Sequence, residues 1–212
     1  MFHPREAKES GKYADDVQQR LGSMGLPPDA LQRIGAFGMV WGQFETFLET
    51  AVWALREEAV TGKRPSTEGQ QIGEWIKTLG KGHPKFSAEV NGILAATSQA
   101  ASDLKEFRHS LFHGALLSFG TEPQAIRNPR WHGELRRRPL GQAHINSETL
   151  DAAIGTSWTL CRLAFNVVNY SKTGDEKLIA PLRPKVVRAV KAAHDLRHYI
   201  AIMTALMNHE KN

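Results

Sequence analysis

The stretch Glu106-Phe107-Arg108-His109-Ser110-Leu111-Phe112-His113, closed by Gly114, holds the side chains of this chain best suited to chemistry on a phosphate. An imidazole titrates near neutral pH and can move a proton, while a guanidinium grips a phosphate through a rigid fork of donors. Arg108, the polar His109 and His113 are therefore candidates for cutting or gripping RNA. Because residues five apart on a helix point about 140° apart, Arg108 must bend back to reach His113.

The elements that must position these groups can be read from hydrophobic spacing. Val90, Ile93, Ala96 or Thr97, Ala100, Leu104, Phe107 and Leu111 form the apolar stripe of a helix that carries the motif at its end, and Gly114 is placed to stop it. Before it, Pro27-Pro28-Asp29 is a helix start, with proline tolerated in the first turn and an acid at the positive end of the dipole. Leu31, Ile34, Gly38, Trp41, Glu45, Leu48, Val52, Leu55 and Ala59 then recur at three- and four-residue steps, predicting a long helix that ends near Gly62. Thr67-Glu68-Gly69-Gln70 has the form of a capping box opening a short helix through Leu79. Residues 115–146 hold three of the ten prolines and no helical period, so they suit a loop with a short hairpin. Ser147 can cap a helix with the stripe Leu150, Ile154, Trp158, Cys161, Phe165 and Val168, ending near Gly174. A last helix follows Pro184, with Val186, Ala189, Ala193, Leu196, Ile200, Met203 and Met207 inside.

The fold expected is all-α: an antiparallel bundle of four to five long helices with one short basic hairpin or loop insertion. Residues 1–25 read as a helical arm and 26–212 as a single domain. The 212 residues suffice for one full core. A single cysteine, Cys161, excludes a disulfide framework and a thiolate zinc site. No apolar run approaches the roughly 18 residues of a membrane span, and Met1-Phe2-His3-Pro4-Arg5 leads straight into charge, so the expectation is a cytoplasmic protein without a membrane partner. The net charge is +5, unevenly spread. Between Thr121 and Ile145, Arg127, Arg130, Arg136, Arg137 and Arg138 face only Glu122 and Glu134, with Trp131 interleaved. Arg136, Arg137 and Arg138 are candidates for clamping an RNA backbone, and Trp131 for stacking on a base; a solvated hairpin face is the competing reading.

The motif and its setting resemble the HEPN superfamily, helical-bundle proteins whose nuclease members carry Arg, four to six residues and then His near the end of a core helix, with a polar residue after the Arg. Here these are Arg108, His109 and His113. Arg127 to His132 and Arg188 to His194 also fit the permitted spacing, but Pro129 interrupts the first, and neither combines helix end, polar second residue and glycine stop. The resemblance covers about residues 28 to 172, including the aromatic and acidic stretch Trp41-Gly42-Gln43-Phe44-Glu45-Thr46-Phe47-Leu48-Glu49 on the preceding helix.

The resemblance implies a metal-independent endoribonuclease, needing no cofactor, in which the ribose 2′-hydroxyl attacks the adjacent phosphate. His113 would assist proton transfer, Arg108 would bind the phosphate, and His109 would orient or share the task. It also implies a homodimer with a composite site, and a role in phage defence or as a toxin restrained by an antitoxin or another regulatory protein. Glu45 falls within an apolar stripe, where a carboxylate needs a partner. Arg108 or a motif histidine is one candidate, which would make Glu45 a supporting residue, and solvation at the helix rim is the other.

Two other classes of function compete. In a non-catalytic module binding RNA or a protein partner, Arg108 would bridge an acid such as Glu106 or Glu45, and His113 would sit at the negative end of the helix dipole. Glu106-x-x-His109 and Asp195-x-x-His198 echo the ligand pairs of di-iron bundles, but Arg108 and Arg197 place a cation beside each histidine, so no metal is assigned.

Overall fold

The computed structural model describes residues 4–58, 66–119, 122–127 and 141–209. The chain is predominantly helical. In order it forms α1 (Pro4–Ser23), α2 (Pro28–Leu55), α3 (Ile72–Lys81), α4 (Ala88–His113), β1 (Ala115–Phe119), β2 (Glu122–Arg127), β3 (Gly141–His144), α5 (Ser147–Thr173) and α6 (Arg183–His209). Two 3-10 turns, Glu176–Leu178 and Ala180–Leu182, lie between α5 and α6. Among the described residues no helix is long and apolar enough to cross a membrane.

Proline at its first turn opens α2, and its inner face of Phe37, Trp41, Phe44 and Leu48 is buried almost completely. Burying each of these side chains contributes on the order of 1.5–3 kcal/mol relative to exposure. The helix stops at Leu55, earlier than its apolar spacing predicts, because Arg56 caps it and Glu57 turns to a positive φ of 54°.

Two contacts at one sequence offset fix how α2 meets α5. Arg33 pairs with Asp151 and Phe47 packs on Phe165, each pair 118 residues apart (151 − 33 and 165 − 47), so the helices run parallel. The same reasoning applies to α4 and α6, where Arg183 reaches Glu89 and Arg197 reaches Asp103, each 94 residues apart. Helices α2 and α4 run in opposite directions, because Glu57 meets Lys85 at one end while Phe37 meets Phe107 and Phe112 at the other. Of α2, α4, α5 and α6, successive helices are thus antiparallel, whereas α2 with α5 and α4 with α6, the helices packed most extensively, are parallel.

Three local expectations change. Thr67 opens no helix: its hydroxyl accepts from Trp53 Nε1 at 2.8 Å and donates to Glu49 at 2.5 Å, tying the turn to α2, and α3 starts only at Ile72. The cap of α5 is Asn146, one residue before Ser147, in a reciprocal capping box with Thr149. The stripe of α5 keeps Leu150 and Cys161 inside, with Ile154 and Val168 partly buried, but not its two largest rings. Ala153, Ser157, Leu160, Ala164 and Val167 face inward, while Trp158 and Phe165 remain 50% and 48% exposed. Phe165 lies at the rim, where its ring packs on Phe47 of α2.

The segment expected to hold a hairpin forms a three-stranded antiparallel sheet in the order β1-β2-β3, with Ala115 opposite Ile126 and Gln124 opposite His144. Strands β2 and β3 pack on α4. Trp131, Arg136, Arg137 and Arg138 lie outside the described residues.

Candidate active site

Helix α4 places the motif. Ser87 caps its start by accepting from Val90 N, and Val90, Ile93, Leu94, Ala100, Leu104 and Phe107 bury its inner face. The last turn then carries Arg108, His109 and His113 to the surface, where His113 is exposed and the other two are half-buried.

Gly114 ends the helix for a reason other than left-handed backbone. Its φ is −83°, which any residue adopts. A Cβ there would stand 2.4 Å from the carbonyl oxygen of Ser110 and 3.0 Å from the backbone of Ile126, so only glycine lets β2 lie this close to the end of α4.

Arg108 does bend back. Its Nη1 lies 3.2 Å from His113 Nε2, and its guanidinium sits over the Phe112 ring at 5.6 Å. Phe112 in turn stacks on Phe37 of α2 at 6.0 Å, so an aromatic pair supports the guanidinium from below. Because a guanidinium only donates, this contact requires a lone pair on His113 Nε2. The rings of His109 and His113 are 5.6 Å apart. Burial, chiefly, and the positive charges of Arg108, Arg127 and Lys105 push the His109 pKa down to about 4, against the opposing effect of Glu106. His109 is neutral at pH 7.

Behind the histidines stands a half-buried ion pair that the spacing of the motif does not reveal. Arg127, 8% exposed, donates from Nη2 to Glu106 at 2.8 Å. Burial acts to raise the Glu106 pKa, but the hydrogen bond from Arg127 and the charges of Lys105, Arg127 and His109 outweigh it and hold the carboxyl below the usual range. Glu106 is thus the partner of Arg127, and Arg108 is left facing His113. A cleft of about 180 Å³ opens beside this pair, lined among others by Ser110, Gln142, Arg197 and His198. The missed signal was partial. Arg127 stood out in the basic segment, but its place at the end of a strand packed on α4 depends on sheet topology, which spacing does not encode.

Glu45 accepts a hydrogen bond from Trp41 Nε1 at 2.6 Å, one turn back on α2. Its partner is therefore an indole of its own helix. Glu106 and His109 on α4, and Asp195 and His198 on α6, sit apart from any metal-like group: among the described residues no three His, Cys, Asp or Glu side chains are gathered as metal ligands are.

Fold and site together define a predominantly helical protein with a cationic Arg-His-His cluster at the exposed end of a core helix. No protein-family model, curated protein or solved structure matches the chain.

Proposed function

We propose that this protein is a HEPN-like endoribonuclease that cleaves single-stranded RNA without a metal ion, using Arg108, His109 and His113. The observation that carries the reading is the 3.2 Å approach of Arg108 Nη1 to His113 Nε2 at an open helix end. It sets a phosphate-binding fork beside a nitrogen that holds a lone pair, which is the pairing that intramolecular phosphodiester cleavage needs.

In this mechanism a phosphate enters between the two side chains and takes the guanidinium from His113. The freed Nε2 accepts the proton of the ribose 2′-hydroxyl as O2′ bonds to phosphorus. The P–O5′ bond breaks, the departing O5′ takes a proton from water, and a 2′,3′-cyclic phosphate remains. Arg108 balances the charge that gathers on the phosphoryl oxygens. Neutral His109 holds the His113 ring in place and adds no second charge to repel Arg108. DNA lacks the attacking hydroxyl and is left intact.

A homodimer joining two α4 ends into one composite site belongs to the same proposal, supported by the exposed apolar Phe112 at the motif and Met39 on α2, 42% and 77% exposed. A cytoplasmic role in phage defence or as a toxin, with a regulatory protein as restraint, follows from the HEPN resemblance.

The test is cleavage of a labelled single-stranded RNA in excess EDTA by wild type, His113→Ala and Arg108→Ala, each checked for its melting temperature. Cyclic-phosphate products should form with wild type, with kcat lower by about 10²–10⁴ in His113→Ala and about 10²–10³ in Arg108→Ala. Equal activity in all three would place the chemistry elsewhere. No cleavage by any of them would leave a module that binds RNA or a protein partner without cutting.

A further inference from the structure

A second line of side chains runs along α4 toward the motif. Ser98, Ser102, Lys105, His109 and His113 follow one another at steps of four, three, four and four residues, so all five lie on one face of the helix. Beside the first three, α3 packs on α4 in the opposite direction, with Gly80 against Ser98 and Gly73 against Lys105.

Between the two helices lies a groove of about 660 Å³. Its floor is made of small residues. A Cβ on Gly80 would stand 2.6 Å from Ser98 Oγ, so glycine is what allows the helices to approach here, and Ala95 and Ser102 continue the floor. The charged side chains that line it are Lys77, Lys81, Lys105 and Glu74, a surplus of two positive charges. Exposed Glu74 engages Lys77 at 2.8 Å, and Lys105 lies 3.6 Å from Glu106.

The groove spans Ala95 to Lys105 on α4, ten residues or about 15 Å, and His109 follows one turn beyond. A polar, cationic groove thus ends at Lys105, one turn before His109 and two before His113 on the same face of α4. The occupant it suits is a flexible polyanion one strand wide. Lysine ammonium groups act as point charges that contact phosphates without reading sequence, and the Ser102 hydroxyl adds a neutral donor, that of Ser98 being given to the Ile76 carbonyl.

We propose that the α3–α4 groove is the track that holds the sugar–phosphate backbone of single-stranded RNA and leads it to His109 and His113. This assignment rests on the endoribonuclease reading for its destination, but its binding prediction stands apart from cleavage. Lys77 and Lys81 hold the strand upstream, Lys105 passes it over the last turn, and Arg108 receives the phosphate to be cut.

The experiment measures fluorescence anisotropy of a fluorescein-labelled 12-nucleotide 2′-O-methyl RNA, which cannot be cleaved by its own 2′ oxygen, over a series of salt concentrations. The full chain is compared with Lys77→Ala/Lys81→Ala, with His113→Ala, and with Lys172→Ala/Lys191→Ala as a control of equal charge change on α5 and α6. The groove variant should bind more weakly, and the slope of log K against log salt should fall by about 1.4, or 0.7 for each lost phosphate contact. Binding by His113→Ala should persist, and the control should keep the wild-type slope. On cleavable RNA, the groove variant should raise KM and leave kcat in place. Wild-type affinity and slope in Lys77→Ala/Lys81→Ala overturn the track even if the protein cleaves RNA, as does failure of wild type to bind the probe. Groove-dependent binding with no cleavage of any RNA sustains the track and overturns only the nuclease reading.

Discussion

His109 lies among the cations Arg108, Lys105 and Arg127 with Glu106 opposing them, and its pKa of about 4 has a consequence for stability as well as chemistry. The unfolded chain takes up a proton at this histidine near its ordinary value of 6.5, whereas the folded chain holds the ring neutral until about pH 4. Between those values the unfolded state binds more protons. Folding free energy is therefore lost as pH falls from about 6.5 to about 4, and the contribution of His109 is fully present only above that window. Urea unfolding of wild type and His109→Gln at pH 7.5, 5.5 and 4.5 should show a shallower loss toward acid in the variant. Identical pH dependence in the two proteins would refute the burial of a neutral ring at this position. Because His109 stays neutral over this range, the acid limb of a cleavage profile near neutral pH should survive His109→Gln.

Helix α4 does three things at once: its apolar side enters the core, its polar line meets α3, and its last turn presents the motif. Each was legible to a different degree. The helix, its stop at Gly114 and the three motif residues follow from spacing and residue type, since an interrupted 3.6 period is a local signal. The reason for the glycine was not legible, because it is the nearness of β2, a contact set by the sheet. Gly114→Ala should therefore displace the end of the helix or the strand, at a cost of about 1–3 kcal/mol, and reduce cleavage through His113 while leaving far-ultraviolet helicity nearly unchanged. A melting temperature and activity equal to wild type would show that β2 has room to move. The polar line Ser98, Ser102, Lys105, His109 and His113 was open to the same wheel that found the apolar stripe, but only the packing of α3 turns it into a groove. On α5 the failure has another cause. Side-chain size located the inner face at Trp158 and Phe165, whereas the buried line runs one position beside them, through Ser157 and Ala164.

Between helices, the registers 118 and 94 residues apart arrange two parallel pairs, and no periodicity within one helix could reveal them. The second depends on one buried carboxylate. Asp103, 1% exposed, accepts from Arg197 at 2.6 Å and from Gln99 at 3.0 Å. Removing the cation, itself 39% exposed, leaves a desolvated carboxylate short of a donor, so Arg197→Ala should lower stability by about 1–3 kcal/mol, while Asp103→Asn with Arg197→Ala should recover part of that loss. Additive losses in urea unfolding would mean the two side chains are not coupled.

Assembly is the last level at which the proposed chemistry can be tested. Within one protomer Arg108 already meets His113, so a composite site would bring two such pairs into one cleft, each able to supply what the other lacks. Arg108→Ala and His113→Ala, each strongly impaired alone, should then regain cleavage when unfolded together and refolded as a mixture, because the mixed dimer carries one intact arginine and one intact histidine across the cleft. Phe112→Glu should abolish both the dimer and the recovery, since a carboxylate would replace the exposed ring beside Arg108. Recovery absent from a mixture that dimerises would confine the chemistry to the Arg108–His113 pair of a single chain, and the homodimer would then have another purpose than completing the site.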